Sequence, residues 1–249
     1  IPEGDLVSRP YLEMTLQLMR HFGAQADWQD DRIVVAPGAY TPKKFTVEAD
    51  WSAASYWYAM AALAQSPDIR LKGLFADSWQ GDAVLSRMMQ SFGIQTIFEE
   101  NGIRLQASGI APRPVFEWNF LECPDIAQTL AVVCAGLGVQ GIFSGLETLS
   151  IKETDRIAAI RQELAKVGAT FSKLPPHFSQ KSPGQTFYLV DGKAHWKETP
   201  QFATYGDHRM AMAFAPLALL APVAIEDPDV VRKSYGSFWE HLRFLGFIF

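Results

Sequence analysis

Cysteine is scarce in this chain of 249 residues: Cys123 and Cys134 are its only two, and neither has a CxxC partner or a Cys/His spacing that suits a metal. That excludes a disulfide-stapled fold and a zinc module, gives no reason to expect a metal or cofactor, and points to a reducing, cytoplasmic setting. Long hydrophobic runs are lacking as well. The stretches from Thr129 to Leu137 and from Met210 to Ala221 are too short to span a bilayer, and Pro216 interrupts the second, so no membrane association is expected. An excess of positive charge is also missing. With 22 Lys and Arg against 27 Asp and Glu the net charge is −5, which argues against a general nucleic-acid binder and makes any basic site a local arrangement. There is no signal or transit peptide pattern. The chain opens on Ile1-Pro2-Glu3-Gly4, in what reads as a loop, so the true N-terminus is expected to lie elsewhere.

What is present is a globular composition, 48% hydrophobic and 20% charged, enough for one large domain or two smaller ones. Four amphipathic segments end alike, in His21-Phe22-Gly23, Ser91-Phe92-Gly93, Lys166-Val167-Gly168 and Phe244-Leu245-Gly246, with the glycines roughly 70 to 78 residues apart. Each reads as a helix stopped by a glycine, and the first three are followed by short strand-like runs beginning at Ala24, Ile94 and Ala169. Between them lie three apolar helices, Ser52 to Ala64, Ile126 to Gly138 and His208 to Ala221, each entered just after an aspartate: Asp50, Asp125 and Asp207. Further strands are predicted at 32–36, 45–49, 69–72, 115–118 and 186–190. The reading is therefore a mixed α/β (α+β) repeat with one buried and one half-exposed helix per unit. A helix apolar all round must be enclosed by protein. If the three buried helices start on one side, Ser52, Asp125, Asp207, His208 and Arg209 gather at a common rim of helix N-termini, which attracts anions.

Two charged blocks sharpen that expectation. Ile151-Lys152-Glu153-Thr154-Asp155-Arg156 opens the amphipathic segment that ends at Val167-Gly168. A helix N-terminus carries roughly half a positive charge, so Lys152 and Arg156 in its first turns are unfavourable unless an anion lies between them. The same stretch also fits a capping box, Ser150-x-x-Glu153, with ordinary solvated charges behind it. The second block, Thr204-Tyr205-Gly206-Asp207-His208-Arg209-Met210-Ala211-Met212, puts a His and an Arg at the mouth of an apolar helix, where Arg209 is no simple solvated face.

Together with Gly4-Asp5-Leu6-Val7-Ser8-Arg9-Pro10-Tyr11 and Asp50-Trp51-Ser52-Ala53-Ala54-Ser55-Tyr56, these blocks make the chain resemble the 5-enolpyruvylshikimate-3-phosphate synthases, over its whole length and in the correct order. The resemblance implies repeated βαβαββ units with parallel buried helices in two domains, the first incomplete: residues 1–100 as the later part of one, 101–249 as most of the other. It implies transfer of the enolpyruvyl group of phosphoenolpyruvate to the 5-hydroxyl of shikimate 3-phosphate, with release of phosphate. By the resemblance, Asp125 accepts the hydroxyl proton and Glu153 moves the proton at C3, two tasks that need their pKa values split. Ser52, Tyr56, Asp125, Thr148 and Lys152 would bind shikimate 3-phosphate, and Arg156, His208, Arg209 and Lys233 phosphoenolpyruvate. His208 either bridges the leaving phosphate or caps a helix. Ala53 stands where a second serine is usual, so Ser52, Ser55 or a water substitutes, and Thr148 stands where an Asn is usual. Tyr56 is expected to pack on the shikimate ring. What the chain covers looks like the last three-fifths of such an enzyme. A monomer is expected, inactive when alone because cationic groups of the family's N-terminal part are missing. A related enolpyruvyl transferase acting on a UDP-sugar is the alternative, although that family uses a reactive Cys and lacks the Asp-His-Arg-Met-Ala-Met block.

Overall fold

The four glycines that end the amphipathic segments all adopt positive φ, from +76° at Gly168 to +94° at Gly23. Only a residue without a Cβ takes this conformation at little cost, so each helix stops where the sequence places its glycine. The computed structural model describes residues 7–30, 32–175, 178 and 185–249; Gly4, Asp5 and Leu6 of the first motif, and the opening Ile1 to Gly4, lie outside the described residues.

In chain order the elements are α1 (Arg9–His21), β1 (Ala26–Gln29), β2 (Arg32–Val35), α2 (Trp51–Leu63), β3 (Asp68–Lys72), α3 (Leu85–Met88), β4 (Ile94–Glu99), β5 (Gly102–Ala107), β6 (Val115–Asn119), α4 (Ala127–Leu137), β7 (Gln140–Ser144), α5 (Arg156–Ala165), β8 (Thr170–Lys173), β9 (Phe187–Asp191), β10 (Gln201–Phe202), α6 (His208–Phe214), β11 (Ala224–Ile225) and α7 (Phe238–Phe244). One sheet has the order β6-β7-β9-β8, with β6 and β7 parallel and the other pairs antiparallel. A second, antiparallel throughout, has the order β3-β5-β4. β10 and β11 pair in parallel, and β1 and β2 form an antiparallel hairpin. The stretch 45–49, predicted as a strand, forms none; Ala49 N–H alone reaches across, to Gly73 O at 2.8 Å.

The three apolar helices α2, α4 and α6 pack against one another in a single core. Their first turns touch: Ser55 Oγ lies 3.0 Å from Thr129 Oγ1, and Gln128 Nε2 lies 3.0 Å from Met210 Sδ. Their N-termini therefore share one rim, as the repeat implies. Residue 100, after which a division is expected, lies inside one sheet. It falls in the turn of the β4–β5 hairpin, and β5 is hydrogen-bonded to both β3 and β4, so the same sheet lies on both sides of it. α1 and the β1–β2 hairpin sit to one side, with Leu16 the one buried residue of α1. Among the described residues, no helix is long and apolar enough to cross a membrane.

Candidate anion site at the helix mouths

The capping box does not form. Residues Glu147–Ile151 make a short 3-10 turn in which Ser150 Oγ donates to Glu147 O, Lys152 is extended, and α5 starts only at Arg156. Asp155 is the cap, accepting from Ala158 N–H at 3.0 Å. Of the three aspartates before the buried helices, two cap: Asp50 accepts from Ser52 N–H at 2.7 Å and Asp207 from Arg209 N–H at 2.8 Å. Asp125 differs, because it lies inside a 3-10 turn, Pro124–Ile126, that feeds α4 and leaves its carboxylate to face the neighbouring cations.

Those cations converge on it from three elements. Asp125 Oδ1 is 3.0 Å from Arg156 Nη1 and 3.5 Å from Lys152 Nζ, and Oδ2 is 3.1 Å from Arg209 Nη2. Arg156 is 1% exposed and reaches further, with Nε 2.7 Å from Asp207 Oδ2 and Nη2 2.7 Å from Glu153 Oε2. Lys233 Nζ closes the ring at 2.6 Å from Glu153 Oε1. Four cations thus share three carboxylates in one cluster, an arrangement that can exchange internal partners for a phosphate or carboxylate.

The electrostatics follow from these contacts. Burial pushes the Asp125 carboxyl up, but Arg209, Lys152 and Arg156 outweigh it and leave it below the usual carboxylate range. Glu153 is held down at about 2, first by the hydrogen bond from Lys233 and against the opposing effect of burial. Both carboxyls are depressed, so their pKa values are not driven apart as two opposite proton roles would require. The physical reason is that each has cations of its own, Lys152 and Arg209 on Asp125 and Lys233 on Glu153, while Arg156 pairs with both. His208 is buried, and burial and then Arg209 push its pKa down, which keeps the imidazole neutral at pH 7. Among the described residues its Nδ1 has no hydrogen-bond partner, and it stands 3.7 Å from Asp207 Oδ1, too far to bond.

A match to the sequence model of EPSP synthase (3-phosphoshikimate 1-carboxyvinyltransferase) covers residues 1–242. The chain belongs to the EPSP synthase family. It is 45% identical over 247 residues to a 3-phosphoshikimate 1-carboxyvinyltransferase of Bacteroides fragilis, covering 98% of this chain and 58% of that protein. To one from Syntrophobacter fumaroxidans it is 37% identical over 240 residues, covering 94% and 53%. The chain thus spans little more than half the length of these curated relatives. The fold is shared with an EPSP synthase structure from Acinetobacter baumannii, at a TM-score of 0.69 and 20% identity, covering 98% of this chain and 55% of that one. It is shared too with the enolpyruvyl transferase NikO from Streptomyces tendae, at 0.64 and 18%, covering 97% and 54%.

Set beside the residues expected from the EPSP synthase resemblance, Asp125, Lys152, Glu153, Arg156, Arg209 and Lys233 are in mutual contact and His208 adjoins them. Thr148 is half-buried, and its Oγ1 is buried without a partner among the described residues. Ser52 donates to the buried Asp82, and Ser55 donates to Ser52 O, so neither hydroxyl points freely outward. Tyr56 is not at a surface: it is 1% exposed, packs edge-on against Phe238, and meets the cluster only through its hydroxyl, 3.5 Å from Arg209 Nη1. Sequence reasoning missed Asp82 and Tyr11. Burial pushes Asp82 up to about 6 against the hydrogen bond from Ser52, and Tyr11 is itself raised by burial and by the nearby Asp82 charge. The only signal for Asp82 was a short turn, Gln80-Gly81-Asp82, with no periodicity to mark it, while Tyr11 closes the first motif without a role of its own.

Proposed function

We propose that this cluster is the acid, base and cation set of an EPSP synthase active site, and that the protein transfers the enolpyruvyl group of phosphoenolpyruvate to the 5-hydroxyl of shikimate 3-phosphate, in the pathway to chorismate and the aromatic amino acids. The observation that carries the reading is the convergence of Lys152, Arg156 and Arg209 on Asp125 at a rim of helix N-termini, with Lys233 on Glu153 beside it.

In the proposed reaction, Asp125 takes the proton of the 5-hydroxyl while that oxygen bonds to C2 of phosphoenolpyruvate, and C3 gains a proton by way of Glu153. The tetrahedral adduct then loses phosphate from C2 and a proton from C3, which restores the double bond, so the enol ether leaves with atoms and charge balanced. Lys152 and Thr148 serve the shikimate phosphate and ring. Arg156, Arg209, Lys233 and His208 serve phosphoenolpyruvate. The depressed pKa of Glu153 fits this role only if it rises during binding. An incoming dianion competes for Lys233 and Arg156, and each cation drawn away lets the Glu153 carboxyl recover a proton.

The working setting is a cytoplasmic monomer acting on small anions. α1 and the β1–β2 hairpin are read as the end of a second domain, with the boundary near the start of α2. The test is phosphate release from phosphoenolpyruvate in the presence of shikimate 3-phosphate. The 249-residue chain alone is expected to give none, and joined to the remaining length found in its relatives it is expected to turn over. Turnover by the chain alone at the rate of a complete relative contradicts the incomplete-site reading. No turnover by the longer, folded protein contradicts the assignment.

A further inference from the structure

Glu163 lies two helical turns beyond Arg156 on α5, on the same face and about 10 Å further along the axis at 1.5 Å per residue. It is fully buried, yet it belongs to neither the core nor the cation cluster. Its carboxylate grips the segment that leads from β10 into α6: Oε2 accepts from Ala203 N–H at 3.0 Å and Oε1 from the Tyr205 hydroxyl at 2.6 Å. Lys166 Nζ, 2.7 Å from Oε2, supplies the counter-charge. Tyr205 needs holding, because its φ is +55°, a left-handed conformation disfavoured for any residue with a Cβ. Gly206 follows at φ +69°, and the next residue is Asp207.

α5 therefore holds this segment at two points. At one, Arg156 pairs with Asp207 (2.7 Å); at the other, Glu163 binds the backbone and side chain immediately before it. We propose that Glu163 and Tyr205 are positioning residues for the anion site: by keeping the turn at 204–206 in its strained form they fix where Asp207 orients Arg156 and caps the helix that presents Arg209. This deepens the functional reading above and rests on it for the identity of the anion, but the clamp itself is a matter of geometry. Strain at a turn that feeds two site residues is stable only while the surrounding contacts over-determine it.

The test uses Tyr205→Phe, which removes one hydroxyl from a side chain that is 39% exposed, so the fold is expected to survive. In the [15N]arginine-labelled chain, the Arg156 Nε–H resonance is the one missing from Arg156→Lys. Its exchange with water is expected to speed at least tenfold in Tyr205→Phe and in Glu163→Gln, as the paired Asp207 loosens, roughly the factor that loss of one hydrogen bond to a charged group gives. Binding of inorganic phosphate is expected to weaken in parallel while the melting temperature of Tyr205→Phe stays within a few degrees. Unchanged Arg156 exchange in a folded Tyr205→Phe protein overturns the proposal. If the unsubstituted chain binds no phosphate at all, the functional reading fails, and the exchange measurement still decides the clamp.

Discussion

Arg156 and Asp207 form an ion pair with almost no access to water: the side chains are 1% and 0% exposed, and Nε lies 2.7 Å from Oδ2. Taking both charges out of water costs several kcal/mol each, so the pair persists because Asp125 and Glu153 share the guanidinium and Asp207 also caps α6. A buried arginine held by carboxylates from three elements is rigid before any anion arrives.

Removing one partner strands the other. Asp207→Ala is expected to cost about 3–5 kcal/mol of unfolding free energy, the range for breaking a buried pair from one side. Urea unfolding followed by circular dichroism measures it, and a loss below about 1 kcal/mol would show that Arg156 finds full compensation elsewhere.

Lys233 controls the charge on Glu153. In Lys233→Ala the Glu153 carboxyl is expected to climb from about 2 toward its ordinary value of 4.5. The sign follows from linkage: a depressed acid stabilises the fold above its unfolded pKa, near 4.5, and that contribution disappears as pH falls through about 2. A carbon-13 NMR titration of the glutamate carboxyls reads the shift directly; a Glu153 curve unmoved by the substitution contradicts the pairing.

Asp82 has the opposite sign. Its folded pKa, about 6 against an ordinary 3.8, means that the fold holds a proton the unfolded chain releases, so stability from this group declines as pH rises between those values. Asp82→Asn removes a charge penalty of about 3 kcal/mol at pH 7, offset by roughly 1 kcal/mol for the weakened hydrogen bond from Ser52. Unfolding at pH 4, 5.5 and 7 is expected to show the variant gaining on the parent as pH rises. A difference that does not vary with pH refutes the assignment.

The packing of α2 on α4 turns on Gly136, where an added Cβ would lie 2.6 Å from Leu63 Cδ2 and 3.6 Å from Leu217 Cδ2. Gly136→Val is expected to destabilise by about 1–3 kcal/mol through overpacking, seen as a lower melting temperature. A variant as stable as the parent would argue against helices this close.

The helix ends were legible because glycine at positive φ leaves a mark in sequence, and the buried helices because an all-apolar stretch has no other stable place. The charged blocks announced Arg156 and Arg209. Less visible were relationships between distant residues. Ser150 and Glu153 have the spacing of a capping box, but the intervening 3-10 turn moves the helix start to Arg156, and no local pattern shows that. The resemblance put the ring of Tyr56 against the shikimate ring, yet the tyrosine ring is buried in the core beside Phe238. Asp82 and Glu163 were invisible as buried carboxylates, since acidic residues in a turn and on an amphipathic helix ordinarily face water. The pairing of β5 with β3 across residue 100 is a long-range fact that no local pattern shows.

If the cations at the helix mouths bind the phosphate of shikimate 3-phosphate, isothermal titration of that compound into this chain and into Lys152→Ala reads it without any turnover. Heat of binding is expected for the parent chain, enhanced by phosphoenolpyruvate, and is expected to be lost in a Lys152→Ala protein that remains folded. Equal binding by both proteins, or none by a folded parent chain, would contradict it.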